Sequence, residues 1–217
     1  MATPVLIFGA GQVAETAAEY FERDGQGPVA AFMVDPEHHT IETLRDRPVL
    51  TVPDAADRFP PGNVRVFVAM GYHRHAGAAW DRVRAFSDQG YELASYCAPT
   101  ARVADSARIG LHHFILDYNV IQPGAVLGDH VFLMPQNNIG HHARIGDANF
   151  LAGQVCISGA CETGSGCFFG VNAATADNLK IGETCRIGPG AAVMTDTPAE
   201  TTLIARPARS LRGEARP

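Results

Sequence analysis

The chain has 217 residues, of which 46% are hydrophobic, enough apolar material for one large domain or two small ones. The formal charge of −6 comes without a basic run, which excludes the electrostatic footprint of a nucleic-acid-binding protein. No apolar run reaches about 18 residues, and no basic segment precedes the first one. We therefore expect neither a membrane span nor a signal peptide, and a cytoplasmic protein.

The first hundred residues alternate apolar runs with amphipathic stretches. Residues 12–23 and 75–89 carry helical spacing of apolar side chains. The buried strands are predicted in the runs VLIFGAG, PVAAFMVD, NVRVFVAMG and YELASY. This alternation predicts a small α/β domain with a parallel sheet over residues 1–98.

The first loop of this domain fits the pattern GxGxxA, after a predicted strand and before a predicted helix. In that context helix amides cradle a phosphate group. Asp35 closes the second strand, where an acidic residue can bind a ribose hydroxyl. The pattern alone suggests a nicotinamide dehydrogenase, but about 100 residues hold only a partial Rossmann unit, and the rest of the chain offers no hydride-transfer site. The candidate nucleotide contacts are Gly9, Gly11, Gln12, Asp35, Gly71 and Tyr72.

A period of six residues begins at Val103 and continues to Val193 without an insertion. Fourteen of the sixteen positions in this series are large and apolar, and most side chains four positions later are small. One wide and one narrow inward residue per hexad is what the faces and corners of a triangular coil require. The period predicts a parallel β-helix over residues 103–198, followed by a tail over residues 199–217.

A second period of 18 residues is marked by recurring glycines and sets the length of one turn at three hexads. Residues 18 apart are then stacked on neighbouring coils. This predicts that Asn119 lies on Asn137 and that Cys167 lies on Cys185. The glycines are Gly110, Gly128, Gly146, Gly164 and Gly182.

The hexapeptide pattern resembles the left-handed β-helix acyltransferases. The preceding α/β unit narrows the resemblance to sugar acyltransferases of the bacterial sialic-acid and bacillosamine type. The resemblance implies a left-handed coil, acetyl-CoA as co-substrate, no metal and a nucleotide-linked sugar bound by the N-terminal unit. It also implies a homotrimer with active sites at subunit interfaces, and a role in surface-glycan (lipopolysaccharide) biosynthesis. Its most specific segment is IGHHARIG, residues 139–146.

His141 matches the catalytic histidine of that segment, and transfer from a thioester needs a base that titrates near neutral pH. Gly159 is 18 residues further on, so its amide should lie one coil above His141 and resembles the family's oxyanion donor. His142 stands where well-known members carry an acidic residue. Either the neutral His142 ring orients His141, or a carboxylate from another coil or subunit does, or the reaction depends less on a charged partner.

Three further parts of the sequence resemble ligand-binding segments of the family. The tail segment IARPAR carries Arg206 and Arg209, whose guanidinium groups suit the phosphates of coenzyme A. Val171 lies in a segment whose backbone lines the pantetheine groove. Phe150 is near the acceptor pocket, at a place where a polar residue can occur.

Two functions of other classes compete with this prediction. His112 and His130 are 18 residues apart, so they could resemble two zinc ligands of a γ-class carbonic anhydrase, although the histidine spacing of that class is not met. A chain that only binds a sugar nucleotide or scaffolds other enzymes is also possible, since His142 replaces the acidic residue. Within the enzyme prediction, N-acetylation is the first choice and O-acetylation of a hydroxyl the second.

Overall fold

The computed structural model describes residues 2–71 and 76–207. Its N-terminal sheet has six strands in the order β3-β4-β2-β1-β5-β6, all paired in parallel except β3 with β4. The strands are β1 Val5–Phe8, β2 Val29–Val34, β3 Thr43–Leu44, β4 Arg47–Thr51, β5 Arg65–Val68 and β6 Glu92–Leu93. The helices are α1 Gln12–Arg23, α2 Val52–Arg58 and α3 Ala76–Asp88, with a 3₁₀ turn at Pro36–His38.

The apolar runs become the centre of this sheet, as predicted. All four residues of β1 are buried, and α1 packs on the sheet through Ala14, Ala17, Ala18 and Phe21, which share one helical face. The hairpin β3–β4 and helix α2 were not predicted. Their segment is short and rich in charged residues, and its strands are mostly half-buried or exposed at the sheet edge.

The rest of the chain forms a parallel β-helix with three faces, as the hexad period predicts. The first face contains β7 Tyr96–Cys97, β10 Phe114–Ile115, β13 Phe132–Leu133, β16 Phe150–Leu151, β19 Phe168–Phe169, β22 Arg186–Ile187 and β24 Thr202–Leu203. The second contains β8 Arg102–Val103, β11 Val120–Ile121, β14 Asn138–Ile139, β17 Cys156–Ile157, β20 Ala174–Thr175 and β23 Ala192–Val193. The third contains β9 Arg108–Ile109, β12 Val126–Leu127, β15 Arg144–Ile145, β18 Glu162–Thr163 and β21 Lys180–Ile181.

Each turn takes 18 residues over most of the coil, so that Ile121 pairs with Ile139 and Ile139 with Ile157. The interior is filled by the large hexad residues and the small ones four positions later. The predicted asparagine ladder is present, because the amide N–H of Asn137 donates to Oδ1 of Asn119 at 3.0 Å. The β-helix extends beyond its predicted bounds at both ends. Its first strand, β7, lies in the range predicted for the N-terminal domain, and its last strand, β24, lies in the predicted tail.

The corners of the coil use left-handed backbone. Every sixth residue from His112 to Gly190 has a positive φ, and three of these fourteen residues are glycine. This conformation is uncommon for residues other than glycine, and the ladder bonds on both sides hold it in place. The corner residues are therefore fixed in position, which matters for the functional side chains that they carry.

The N-terminal domain covers the outer side of the first face. Phe114 and Phe132 point outward there and are buried in one cluster with Phe67 of β5. At the edge of this contact, the guanidinium of Arg23 donates to both oxygens of Asp117, at 3.0 and 3.1 Å. The two domains thus share a core along the first face. No helix in the described ranges is long and apolar enough to cross a membrane.

Candidate active site

His141 and His142 form a pair of exposed rings at the corner between the second and third faces. Nδ1 of His141 and Nδ1 of His142 are 3.3 Å apart. When His141 donates in this contact, its Nε2 keeps a free lone pair, as a general base requires. Of the orienting groups left open by the sequence, the structure brings the His142 ring into contact with His141.

Neighbouring groups hold the ring of His142 and the backbone of His141. His142 has a φ of 58°, and Gly124 leaves the space that its ring fills, since a Cβ at Gly124 would lie 2.8 Å from Cδ2 of His142. The amide N–H of His141 donates to Oε1 of Gln122 at 3.1 Å. Nε2 of the Gln122 side chain in turn donates to Oδ1 of Asn138 at 3.0 Å. Gln122 and Asn138 were not among the predicted site residues, although both belong to the same corner and face as the histidines.

Gly159 lies one coil above His141, as the 18-residue period predicts. A Cβ at Gly159 would stand 2.6 Å from Cε1 and 2.7 Å from Nε2 of His141, so a side chain there would collide with the ring. The amide N–H of Gly159 donates to Oδ1 of Asp177 at 2.7 Å. Asp177 is 18 residues beyond Gly159, and it was not predicted as part of the site.

A cavity of about 960 Å³ opens at the carboxyl ends of β1, β2 and β5. Gly9 has a φ of +116°, and a Cβ there would lie 3.2 Å from the carbonyl oxygen of Ala69, so this loop position favours glycine. Of the predicted nucleotide contacts, Tyr72 lies outside the described residues. The predicted residues that line the cavity are Gly9, Gly11, Gln12, Asp35, Gly71 and Phe150.

Asp35 is bound by an arginine from α3. Nη2 of Arg82 donates to both carboxylate oxygens, at 2.7 and 2.6 Å, and the guanidinium lies 4.6 Å from the centre of the Phe8 ring. Both residues line the cavity. The sequence did not single out Arg82, because a single arginine on an amphipathic helix carries no motif.

Of the predicted coenzyme A contacts in the described residues, Gly159 lies beside His141, and the others do not. Val171 is exposed at the corner between the first and second faces, which is not the corner of His141. Arg206 is exposed beyond β24. Arg209 lies outside the described residues. Within one chain, neither Val171 nor Arg206 joins the histidine pair.

His112 and His130 form a buried pair between the two domains. The amide of Val68 donates to Nε2 of His112 at 2.8 Å, and Nδ1 of His112 is 2.9 Å from Nδ1 of His130. Burial lowers the pKa of His130 to about 4 and, together with the neighbouring His130, lowers the pKa of His112 well below its usual value. The lone pair on Nε2 of His112 accepts from Val68, and the lone pair on Nδ1 of His130 accepts from His112. Neither is free to bind a metal, which argues against a zinc site at this pair.

Potential metal ligands come together elsewhere in the described ranges, at the mouth of the cavity. Ligand atoms of Asp35, Glu37 and His38 lie within 4.8 Å of one another. Because Arg82 already binds both oxygens of Asp35, this group does not have the three free ligands of a zinc site.

No protein-family model matches the chain, and no curated protein does. Similar solved structures include PerB from Caulobacter crescentus in complex with CoA and GDP-perosamine, with 25% identity and a TM-score of 0.83 over 95% of this chain and 96% of that one. The acetyltransferase domain of PglB from Neisseria gonorrhoeae, in complex with acetyl coenzyme A, has 21% identity and a TM-score of 0.83 over 97% and 100% of the two chains. WeeI from Acinetobacter baumannii has 19% identity and a TM-score of 0.80 over 94% and 98%.

These similarities extend over both domains. They confirm the predicted fold, an N-terminal α/β domain followed by a left-handed β-helix. They also confirm the predicted resemblance to sugar acetyltransferases of this architecture.

Proposed function

We propose that the chain is an acetyl-CoA-dependent acyltransferase that acetylates the amino group of a nucleotide-linked amino sugar in the biosynthesis of a bacterial surface glycan. The acyltransferase class and the coenzyme A donor rest on structural neighbours that match nearly the whole chain. The acceptor class is supported by the GDP-perosamine bound to one neighbour and by the nucleotide-sized cavity of this chain.

The observation that carries the proposal is the column formed by His141 and Gly159. Nε2 of His141 removes a proton from the acceptor amine as the nitrogen attacks the thioester carbonyl carbon. The amide N–H of Gly159 stabilises the negative charge that develops on the carbonyl oxygen. The intermediate collapses with cleavage of the carbon–sulfur bond, and the proton on His141 passes to the departing thiolate of coenzyme A. His142 accepts a hydrogen bond from the imidazolium of His141 while the charge is present.

The position of the cavity supports a site shared between two subunits. The cavity is on the side of the first face, where Phe150 joins the N-terminal domain, whereas His141 is at the opposite corner of the triangular coil. We therefore infer that a sugar bound in the cavity of one chain meets the histidine of another. This supports a closed homotrimer, with the remaining coenzyme A contacts such as Val171 and Arg206 supplied across the same interface.

The first test measures thiol release from acetyl-CoA with a panel of nucleotide-linked amino sugars, comparing wild type with His141→Ala. Loss of the base should lower the rate about 10²-fold or more. The matched control is His113→Ala, which removes a half-buried histidine of the coil that does not line the cavity. Equal turnover by wild type and His141→Ala would refute the assignment of the base.

The same panel separates the remaining functions. A product that resists mild alkali carries an amide and supports N-acetylation, whereas an alkali-labile product carries an ester and would favour O-acetylation. A wild-type chain that binds the nucleotide sugar but transfers nothing would favour a binding protein. The subunit arrangement is tested by mixing His141→Ala with Arg82→Ala chains at a nucleotide-sugar concentration far below KM, where both variants are impaired. Activity of the mixture above that of either variant requires that base and cavity come from different subunits.

A further inference from the structure

The amide that the proposed reaction uses is already occupied in the free chain. A backbone amide carries one hydrogen, and that of Gly159 is directed at Oδ1 of Asp177, 2.7 Å away. The thioester carbonyl of acetyl-CoA cannot accept the same hydrogen with full strength while the carboxylate remains there. The two acceptors therefore compete for one donor.

The geometry favours displacement of the carboxylate. Asp177 is exposed at its corner in the single chain, so the chain itself leaves its side chain room to rotate away, while Gly159 is buried. The same point in space, the Cβ position of Gly159, is 2.7 Å from Nε2 of His141 and 3.2 Å from Oδ1 of Asp177. The carboxylate thus stands beside the reacting centre and not merely above it.

We propose that Asp177 is a specificity-determining residue for the acyl donor. Its hydrogen bond from the Gly159 amide is broken when a thioester carbonyl binds and accepts the same hydrogen. This inference rests on the proposed function, since it uses the same amide. Free coenzyme A has no acyl carbonyl and gains nothing from the amide. Asp177 therefore reduces the advantage in affinity that acetyl-CoA has over coenzyme A.

A purely structural role for Asp177 is the competing explanation, and the chain contains its matched control. At the corner between the third and first faces, the amide of Asp129 donates to Oδ1 of Asp147 at 2.8 Å. That pair has the same 18-residue separation and the same kind of bond, but it lies at a different corner from the histidines. If carboxylates only hold neighbouring coils together, Asp177→Ala and Asp147→Ala should behave alike.

The experiment measures the dissociation constants of acetyl-CoA and coenzyme A by titration calorimetry for wild type, Asp177→Ala, Asp177→Asn and Asp147→Ala. The ratio of the two constants is the informative quantity, because removal of a negative charge strengthens both ligands through their shared phosphates. In Asp177→Ala we expect the preference for acetyl-CoA to rise about 10-fold, the size of one hydrogen bond to a charged group. Asp177→Asn keeps a weaker acceptor and should fall between Ala and wild type.

The outcomes are distinguishable. An unchanged ratio in Asp177→Ala, with coenzyme A binding and transfer intact, would overturn this inference and leave the proposed function standing. A rise of equal size in Asp147→Ala would also overturn it, since the effect would then be general to the coil. A wild-type chain that binds neither acetyl-CoA nor coenzyme A would overturn the proposed function and the inference together. Thermal unfolding of each variant checks that the coil is intact.

Discussion

Mild acid should destabilise the fold through the buried histidine pair. Because Nε2 of His112 accepts the amide hydrogen of Val68, its proton lies on Nδ1 and is donated to His130, and both rings are neutral. The pKa of His130 is about 4 in the folded chain, against 6.5 for the free side chain. Between these values the unfolded chain binds more protons than the folded chain, so stability falls as the pH decreases.

The magnitude follows from that difference in pKa. From pH 7.5 to pH 5, His130 alone should remove about 2 kcal/mol from the free energy of unfolding. His112 acts in the same direction, since burial also lowers its pKa. Carboxylates contribute little in this window, because the pKa of Asp117, lowered to about 2 by its bonds from Arg23, affects stability only at lower pH.

Urea unfolding at the two pH values measures this loss. Trp80 is the only tryptophan, and its ring centre is 6.0 Å from that of His130, so its fluorescence follows the domain interface. The double variant His112→Gln, His130→Phe keeps an acceptor for the Val68 amide and should lose much less stability at pH 5. His38→Phe, at an exposed position, should lose as much as wild type. An equal loss in the double variant and wild type would refute the reasoning.

Three further results are expected. Gly124→Ala should lower kcat about 10-fold with an unchanged circular dichroism spectrum, because the new methyl group would lie 2.8 Å from Cδ2 of His142 and displace the ring. Asp117→Ala should lower the free energy of unfolding in urea by about 1 kcal/mol, since it removes both bonds from Arg23. Arg82→Ala should raise KM for the nucleotide sugar about 10-fold and leave KM for acetyl-CoA unchanged, because it removes a cavity cation.

The β-helix was predictable because its two periods are geometric constraints on the chain. Every coil must place a wide residue on each face and a narrow one near each corner, so the pattern survives substitutions such as Thr163 and Thr175, which are still buried. The stacking of Gly159 over His141 follows from the period alone. The handedness came from the resemblance, because a spacing of six residues does not distinguish the two hands.

Contacts between segments far apart in the sequence were not predictable in this way. The ion pair between Arg82 and Asp35 joins α3 to the end of β2, and neither residue type nor spacing indicates this contact. The contact between the two domains does have a signal in the sequence, which the sequence analysis did not use. Phenylalanine recurs at 114, 132, 150 and 168, an 18-residue series beside the inward residues, and such a series predicts an aromatic stripe on the outside of one face.

The 18-residue period also explains why the residues of the proposed site are stacked on successive coils. Each position of a corner recurs once per coil, so the proposed base, His141, and the proposed amide donor, Gly159, are 18 residues apart. A carboxylate on the third level, Asp177, reaches the donor of the second. A one-residue insertion between His141 and Gly159 would move the glycine out of the column while leaving every corner available for folding. The uninterrupted register of these coils is therefore a requirement of the proposed reaction as well as of the core.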